Sequence, residues 1–263
     1  MLALMTQKKR LKSIISYLSD HQEVTVEEAC AIFTVSPATI RRDFNLLAQE
    51  QKITKTWGGI RLALPSENGD HTLSIEDRSS QFLAEKRRIA EQAASLIREN
   101  DVIIIDGGTT TFEMTPLIAD MPIKIITNSV LIAHQIHHTG KSREGAEVIM
   151  AGGLLYPSGA LTVGPQAINN LREYYANVAF LSVGGLSEIG ATNSNSLVVE
   201  TEQQMIEQSE RVVMLADRSK FGKQDLVRLC DFEKIQTIIT DDQLEEPALV
   251  RHIESQGTRV VLV

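Results

Sequence analysis

Seven short, nearly uninterrupted runs of branched aliphatic residues constrain this chain more than any other feature. They are 102–105, 123–126, 148–150, 178–181, 212–215, 237–239 and 260–263. Successive side chains of a strand point to opposite faces, so a continuous apolar run needs cover on both sides. Stretches of helical character separate the runs. The pattern predicts a doubly wound, mainly parallel α/β domain with helices on both faces of one sheet. Such sheets take ligands beyond the carboxyl ends of their strands.

The residues at those ends are polar or glycine-rich. The first run leads into Asp106, Gly107, Gly108, Thr109, Thr110 and Thr111, then a helical stretch. Glycines let backbone N–H groups converge, a helix start adds partial positive charge, and three hydroxyls can donate, so this loop is a candidate phosphate cradle. Asn128 and Ser129 follow the second run, Gly152 and Gly153 the third, Gly184 and Gly185 the fourth, and Asp217 with Lys220 the fifth. Glycine after a strand is usually a tight turn. Five such ends in series predict a shared pocket.

The chain has 263 residues, 43% hydrophobic and 23% charged, which suits two globular domains better than one. Its two cysteines, Cys30 and Cys230, form no paired motif, which argues against a disulfide scaffold and for a reducing compartment. No apolar run is long enough to span a membrane and none near the start reads as a signal peptide. The expected location is the cytoplasm. The net charge of −8 is divided unevenly: residues 1–64 hold 9 Lys+Arg against 6 Asp+Glu, and the remainder carries −11. A basic head on an acidic body suits local contact with phosphates.

That head has its own pattern. Leu11, Ile14, Ile15 and Leu18 repeat at helical spacing and predict a helix over about 7–18. Thr25 and Glu28 read as a capping box opening a second helix that runs to about Phe33. Thr34-Val35 is the turn. Ser36 then caps a third helix with Pro37 at its first position, and it counts among the residues expected to contact DNA. On this helix Ile40, Phe44 and Leu47 share one side, whereas Ala38, Arg41, Arg42 and Asn45 share the other, with Thr39 on the flank. Small residues permit close approach to DNA, and guanidinium and amide groups reach base edges or phosphates. Either Arg41 or Arg42 can do either job. A solvated face is the plainer reading of paired arginines. Asp43 is expected to anchor a neighbouring arginine, since phosphate repels it. Residues 52–56, a turn at Trp57-Gly58-Gly59 and the return at 60–62 read as a hairpin wing that offers Lys55 and Arg61 to phosphate, with Trp57 packing at its base.

Arg10, Ile14 and Leu18, the segment from Ser36 to Phe44, and Gly58-Gly59 together resemble the N-terminal signature of DeoR-type bacterial regulators. The resemblance implies a sequence-specific DNA-binding head, usually repressing a carbohydrate-use operon. The expected division is a winged helix-turn-helix domain at 1–64, a linker at 65–75 rich in turn formers, and an α/β effector and oligomerisation domain at 76–263. The later segments resemble the DeoR effector domain, which is similar in fold to ribose-5-phosphate isomerase. This implies a phosphorylated sugar or related phosphometabolite as effector and no cofactor. By the resemblance, the loop from Gly107 to Thr111 holds the phosphate, and Asn128, Ser129, Asp217 and Lys220 hold the sugar end or close the pocket.

Two other function classes fit the sequence less well. Isomerisation needs a positioned carboxylate base. The stretch comparable to the isomerases' acidic loop, 183–187, has no carboxylate before Glu188, and although Asp106, Asp217 and Lys220 remain, the expectation is a regulator and not an enzyme. Single-stranded RNA binding is disfavoured by the lack of stacking aromatics on the third helix. The cluster Glu85-Lys86-Arg87-Arg88 reads as a solvated helical face on a helix that buries Phe82, Ile89, Ala93 and Leu96. His134 and His138 have the spacing of a metal pair but no third ligand nearby. Met114, Met121, Met150 and Met205 read as core or interface filler. One head reads few base pairs, so the expected partners are double-stranded operator DNA and further copies of the chain, as a dimer or larger homo-oligomer.

Overall fold

A computed structural model describes residues 7–21, 23–49, 53–55, 59–62, 75–142 and 144–263. The chain divides into two compact units, Met1–Glu67 and Asn68–Val263. The expected contributions of Lys52, Thr56, Trp57 and Gly58, and of residues 65–70, lie outside the described residues.

The first unit runs α1 (Gln7–Asp20), β1 (Glu23–Thr25), α2 (Val26–Phe33), α3 (Pro37–Gln49), β2 (Ile53–Lys55) and β3 (Gly59–Leu62). The capping box forms as the sequence predicts: Thr25 Oγ1 accepts from the Glu28 amide at 3.2 Å, and the Glu28 carboxylate accepts from the Thr25 amide at 2.8 Å. Thr34 ends α2 in the left-handed region at φ 53°, which turns the chain sharply. Ser36 Oγ then accepts from the Thr39 amide at 3.3 Å and starts α3. Ile14, Leu18, Ala29, Ile40, Phe44, Leu47, Ile53 and Ile60 close one core under the three helices. The strands form a sheet of order β1-β3-β2, antiparallel throughout. β1 was not anticipated, because three residues with one buried apolar side chain, Val24, give no readable period.

The second unit begins with α4 (Ile75–Ser80), α5 (Leu83–Ala94), β4 (Val102–Ile105), α6 (Thr109–Phe112), α7 (Thr115–Ile118), β5 (Lys124–Thr127), α8 (Val130–Thr139) and β6 (Glu147–Met150). It continues with β7 (Leu154–Tyr156), β8 (Leu161–Val163), α9 (Pro165–Leu171), β9 (Val178–Leu181), β10 (Gly185–Ser187), β11 (Gly190–Asn193) and α10 (Ser196–Glu207). It ends with β12 (Val212–Leu215), β13 (Val227–Cys230), β14 (Thr237–Thr240), α11 (Pro247–Ser255) and β15 (Arg259–Leu262). All seven apolar runs become strands of one parallel sheet, in the order β15-β14-β12-β9-β4-β5-β6.

Alternation along the strands sorts two cores. Ile103, Ile105, Phe180, Val213 and Leu215 face α5, α7 and α8 through Ile89, Ile118 and Ile132. Ile104, Ala179, Leu181, Val212 and Met214 face α9, α10 and α11 through Leu171, Met205 and Ile253. The short antiparallel pairings β7-β8 and β10-β11-β13 lie outside this sheet. Met114 and Met205 are core residues, whereas Met150 is exposed. Helix α5 buries Ile89 and Ala93 as expected, but Phe82 precedes it in the left-handed region at φ 53° and Leu96 follows its end. No helix among the described residues is long and apolar enough to cross a membrane.

The strand order reverses at one place. From β4 the chain adds β5 and β6 on one side, then returns to add β9, β12, β14 and β15 on the other. Connections on the two sides leave toward opposite faces, so a crevice opens between the carboxyl ends of β4 and β9.

The first unit carries a buried ion pair. Asp43 on α3 is fully buried and accepts from Arg10 Nε of α1 at 2.5 Å, from Arg10 Nη2 at 3.3 Å and from Gln7 Nε2 at 3.1 Å. Removing one partner leaves the other charge buried without compensation, which typically costs about 3–5 kcal/mol. Asp43→Ala is therefore expected to lower the unfolding midpoint of the first unit sharply, leaving that of the second unit in place. Residue-resolved hydrogen exchange separates the two; uniform protection in the variant would show that the pair is dispensable.

Candidate functional site

Two surfaces gather the residues singled out in the sequence. The first is the outer side of α3. Ala38, Arg41, Arg42 and Asn45 are exposed, Thr39 is half-buried, and Ile40, Phe44 and Leu47 are buried beneath them. Ser36 Oγ lies 3.0 Å from Thr39 Oγ1 and caps the helix, so its hydroxyl is engaged at the helix start. Asp43 turns inward to Arg10, as the sequence suggested for a carboxylate so close to a phosphate-seeking face. Lys55 and Arg61 stand on β2 and β3; their side chains lie outside the described residues.

The second surface is a cleft of about 160 Å³ at the strand-order reversal. Of the expected effector residues, Gly107, Gly108, Thr109, Thr110, Ser129, Gly184, Asp217 and Lys220 line it. A Cβ on Gly108 would collide with the Ser182 side chain at its Cβ, and one on Gly107 would displace the end of the Leu161 side chain. The first-turn amides of α6, including Thr109 and Thr110, lack intrahelical partners by construction. Asp217 accepts from the Ser219 amide at 3.0 Å and caps the turn that carries Lys220.

The remaining expected residues serve as scaffold. Asp106 lies fully buried under the loop; Asn128 Nδ2 donates to it at 3.1 Å and Ser182 Oγ at 3.0 Å. Asn128 Oδ1 in turn accepts from the Gly107 amide at 3.0 Å, which fixes the loop's height over the strand end. The Thr111 hydroxyl donates back to the Asp106 and Gly108 carbonyls and is unavailable to a ligand. Gly152 and Gly153 close a left-handed turn, where Asn170 donates to the Ala151 carbonyl at 2.8 Å. Gly185 sits in β10 against the Lys223 backbone.

Several lining residues escaped the sequence reading. Lys86 corrects the solvated-face expectation: it is 3% exposed, lines the cleft, and its Nζ donates to the Arg78 carbonyl at 2.5 Å. Its neighbours pair on the surface instead, Glu85 with Arg218, Arg87 with Glu113 and Arg88 with Asp242. A signal was present, for Lys86 occupies the same helical stripe as Ile89, Ala90 and Ala93. Arg78, Ser182, Asn193 and Glu202 also line the cleft. Among the described residues the buried Arg78 Nε, which belongs to this cleft, lacks a partner, whereas Glu202 meets Asp106 as well as Asn193. Native structures rarely leave such atoms unsatisfied without a reason. The rings of His134 and His138 stack 6.0 Å apart on α8, and no group of three His, Cys, Asp or Glu side chains that could hold a metal occurs among the described residues.

The chain matches the DeoR-like helix-turn-helix domain over residues 10–65 and the DeoR C terminal sensor domain over residues 81–242. It belongs to the DeoR family. An uncharacterized HTH-type transcriptional regulator, YulB of Bacillus subtilis (strain 168), is 30% identical over 97% of this chain and 96% of its own length. The HTH-type transcriptional repressor GlcR of the same organism is 30% identical, covering 98% and 97%. The Glycerol-3-phosphate regulon repressor of Haemophilus influenzae is 30% identical, covering 98% of each. Ribose 5-phosphate isomerase A of Methanocaldococcus jannaschii covers 54% of this chain and 55% of its own at 15% identity, with a TM-score of 0.39. These curated relatives are named as regulators or repressors, in agreement with the reading of the chain as a regulator and not an enzyme.

In this DeoR-family chain the cleft holds a buried carboxyl pair. Glu202 is fully buried on α10; its Oε1 accepts from Asn193 Nδ2 at 2.7 Å, and its carboxyl also hydrogen-bonds Asp106. Burial and the neighbouring Asp106 charge push the Glu202 carboxyl well above its usual range; burial also raises Asp106 against its hydrogen bonds. Two side-chain donors face Asp106 and one faces Glu202, so the proton of the pair resides on Glu202. A carboxyl raised in the folded state adds stability that is complete below its unfolded value of about 4.3 and is lost as pH rises toward the folded value. Glutamine does not titrate. Glu202→Gln is accordingly expected to gain stability relative to wild type as pH rises from 5 to 8. Thermal melts at the two pH values check this, and a pH-independent difference would contradict the assignment of the proton to Glu202.

Proposed function

We propose that this chain represses a carbohydrate-use operon by binding double-stranded operator DNA through the α3 face and the wing, and that a phosphorylated sugar or related phosphometabolite in the cleft modulates this affinity. Ala38, Thr39, Arg41, Arg42 and Asn45 meet the major groove, and Lys55 and Arg61 meet the phosphates. Membership of the DeoR family and the outward arginines above a buried Asp43 support the DNA half. Such a head calls for a symmetric assembly of two or more chains on repeated half-sites. The unpaired cysteines fit a reducing cytoplasm.

The effector half is carried by one observation: a buried Lys86 and the partnerless Nε of Arg78 line the same cleft as the first-turn amides of Thr109 and Thr110. Desolvated cations beside converging amides suit a phosphate. Lys220 adds a third positive side chain to the lining. A relative named for the glycerol-3-phosphate regulon fits a ligand of this class.

Two variants separate the halves. Arg42→Ala is expected to weaken binding to a duplex selected by the wild-type protein from a random pool by about 1–3 kcal/mol, while ligand-induced stabilisation persists. Unchanged operator affinity in fluorescence anisotropy would mean that α3 docks in another orientation. Lys86→Met is expected to keep operator binding and lose the thermal shift given by phosphorylated sugars. For wild type that shift reaches several degrees at about 100 times Kd, where ligand adds about 2.7 kcal/mol. A Lys86→Met protein stabilised as well as wild type would remove the cation from the site.

A further inference from the structure

Two stretches of the second unit carry no fixed charge. Residues 125–140 and 148–171 contain no Asp, Glu, Lys or Arg, although at the chain's 23% charged composition they would hold about nine. Part of this is core and part is not. On α8 Val130, Leu131, His134 and His138 are exposed. Strand β7 exposes Leu154 at 64% and Leu155 at 54%, adjacent residues whose side chains point to opposite faces. Both elements share one surface: the Val130 amide donates to the Ala160 carbonyl at 3.0 Å, and the Thr162 amide of β8 donates to the Asn128 carbonyl at 2.7 Å. Among the described residues β7 pairs with β8 alone, so its other edge is open. Natural edge strands are blunted by charge, proline or a bulge, and Leu154-Leu155-Tyr156 has none of these. A two-stranded hairpin is at best marginally stable in water, so an apolar one calls for cover.

We propose that a second copy of this chain docks here, the β7–β8 hairpin and the start of α8 meeting their counterparts about a two-fold axis, so that one hairpin forms both a wall of the cleft and the seam between chains. The inference rests on the symmetric assembly proposed above and places its seam. A two-fold contact sets the same patch on both sides, so the patch has to complement itself. A charged patch repels its own copy, whereas an apolar patch without fixed charge does not. DNA, and a basic or acidic partner, calls for an opposite charge that this surface lacks. The centres of protein interfaces are likewise depleted of charged residues and enriched in Met and aromatics, and Met150 and Tyr156 flank the two leucines here. The inner side of the same hairpin faces the cleft, which Tyr156, Gly159 and Leu161 line together with Leu131 of α8. Contact between chains therefore braces the elements that border the cleft.

Sedimentation velocity on the full chain over a range of concentrations tests this. Leu154→Glu and Leu155→Glu are each expected to weaken self-association about a hundredfold or more, because the seam would bury an unpaired carboxylate. Both positions are exposed in the single chain, so the variants are expected to keep a cooperative thermal melt. Leu226→Glu, at an 83% exposed leucine outside the patch, is expected to assemble as wild type does. An assembled wild type whose two hairpin variants assemble equally well overturns the seam and leaves the assembly reading standing. So does an equal loss in Leu226→Glu. A wild type that stays monomeric at every concentration overturns both. Hydrogen exchange on the wild type alone covers the case of a variant that does not fold: protection of β7 and the first turn of α8 is expected to fall on dilution through the dissociation range. Protection that does not change with concentration assigns the cover to another part of the same chain and overturns the proposal.

Discussion

The strand-order reversal between β4 and β9 is the constraint on which the functional half of this molecule depends. Right-handed crossovers carry the chain to opposite faces on either side of it, which leaves a crevice at the ends of these two strands. The polar ends left there cannot be abandoned inside a protein, because unpaired buried groups cost about 1–3 kcal/mol each. Asp106 is the first residue past β4 and Ser182 the first past β9, and they meet at 3.0 Å. Asn128, the first past β5, joins them and holds the Gly107 amide. One hydrogen-bonded set of strand-end residues thus sets where the Gly107-Gly108 loop sits. The cleft-lining atoms belong to the residues just beyond.

The same logic of inward and outward polar groups organises the DNA-binding unit. Three charged residues stand in a row on α3, and helical geometry sends Asp43 to the side opposite Arg41 and Arg42. Burying Asp43 against Arg10 removes a negative charge from the neighbourhood of the exposed Arg41 and Arg42 and fixes α1 to α3 by a two-armed contact. Replacing such a pair by apolar residues is often neutral or stabilising in other proteins, so stability alone is a weak reason for its presence. A fixed rotation of α3 is the stronger one, since base contacts depend on where each side chain points.

Much of this was legible in the sequence, and the exceptions have a common cause. Strands buried on both faces write themselves as continuous apolar runs, and all seven were found. The α3 faces and the Thr25 and Ser36 caps were equally readable, because they depend on residues three or four apart. Lys86 and Glu202 were not read, although both lie on apolar stripes: Lys86 with Ile89, Ala90 and Ala93, and Glu202 with Val198, Val199, Met205 and Ile206. A charged residue in the middle of an apolar stripe conflicts with its helix's own period. Surrounded by other charges, as in Glu85-Lys86-Arg87-Arg88, it passes for surface. The glycine pairs failed in the opposite direction. Gly152-Gly153 and Gly184-Gly185 have the same sequence appearance, yet only Gly184 reaches the cleft, since the paths of β7 and β10 decide it.

Coupling between the cleft and the head requires that a ligand contact something whose position differs between two states. Helix α4 borders the cleft through Arg78. It is tied to α5 by the Lys86–Arg78 carbonyl contact, a charge-assisted bond that an anion would compete for directly. Between α4 and α5 stands Phe82, a bulky residue held at φ 53°, a conformation that persists only where its surroundings enforce it. Arg218 supplies that enforcement: its guanidinium lies 4.7 Å from the Phe82 ring centre while pairing with Glu85 and Asp241. The turn that carries Arg218 also carries Asp217 and Lys220 into the cleft. Under the proposed reading, a ligand in the cleft would act on both supports of the Phe82 bend. On that same reading, a phosphate at Lys86 and Arg78 would shift the balance of that bend only by its differential affinity for two arrangements, and the regulatory free energy would lie in the contacts that recognise the ligand.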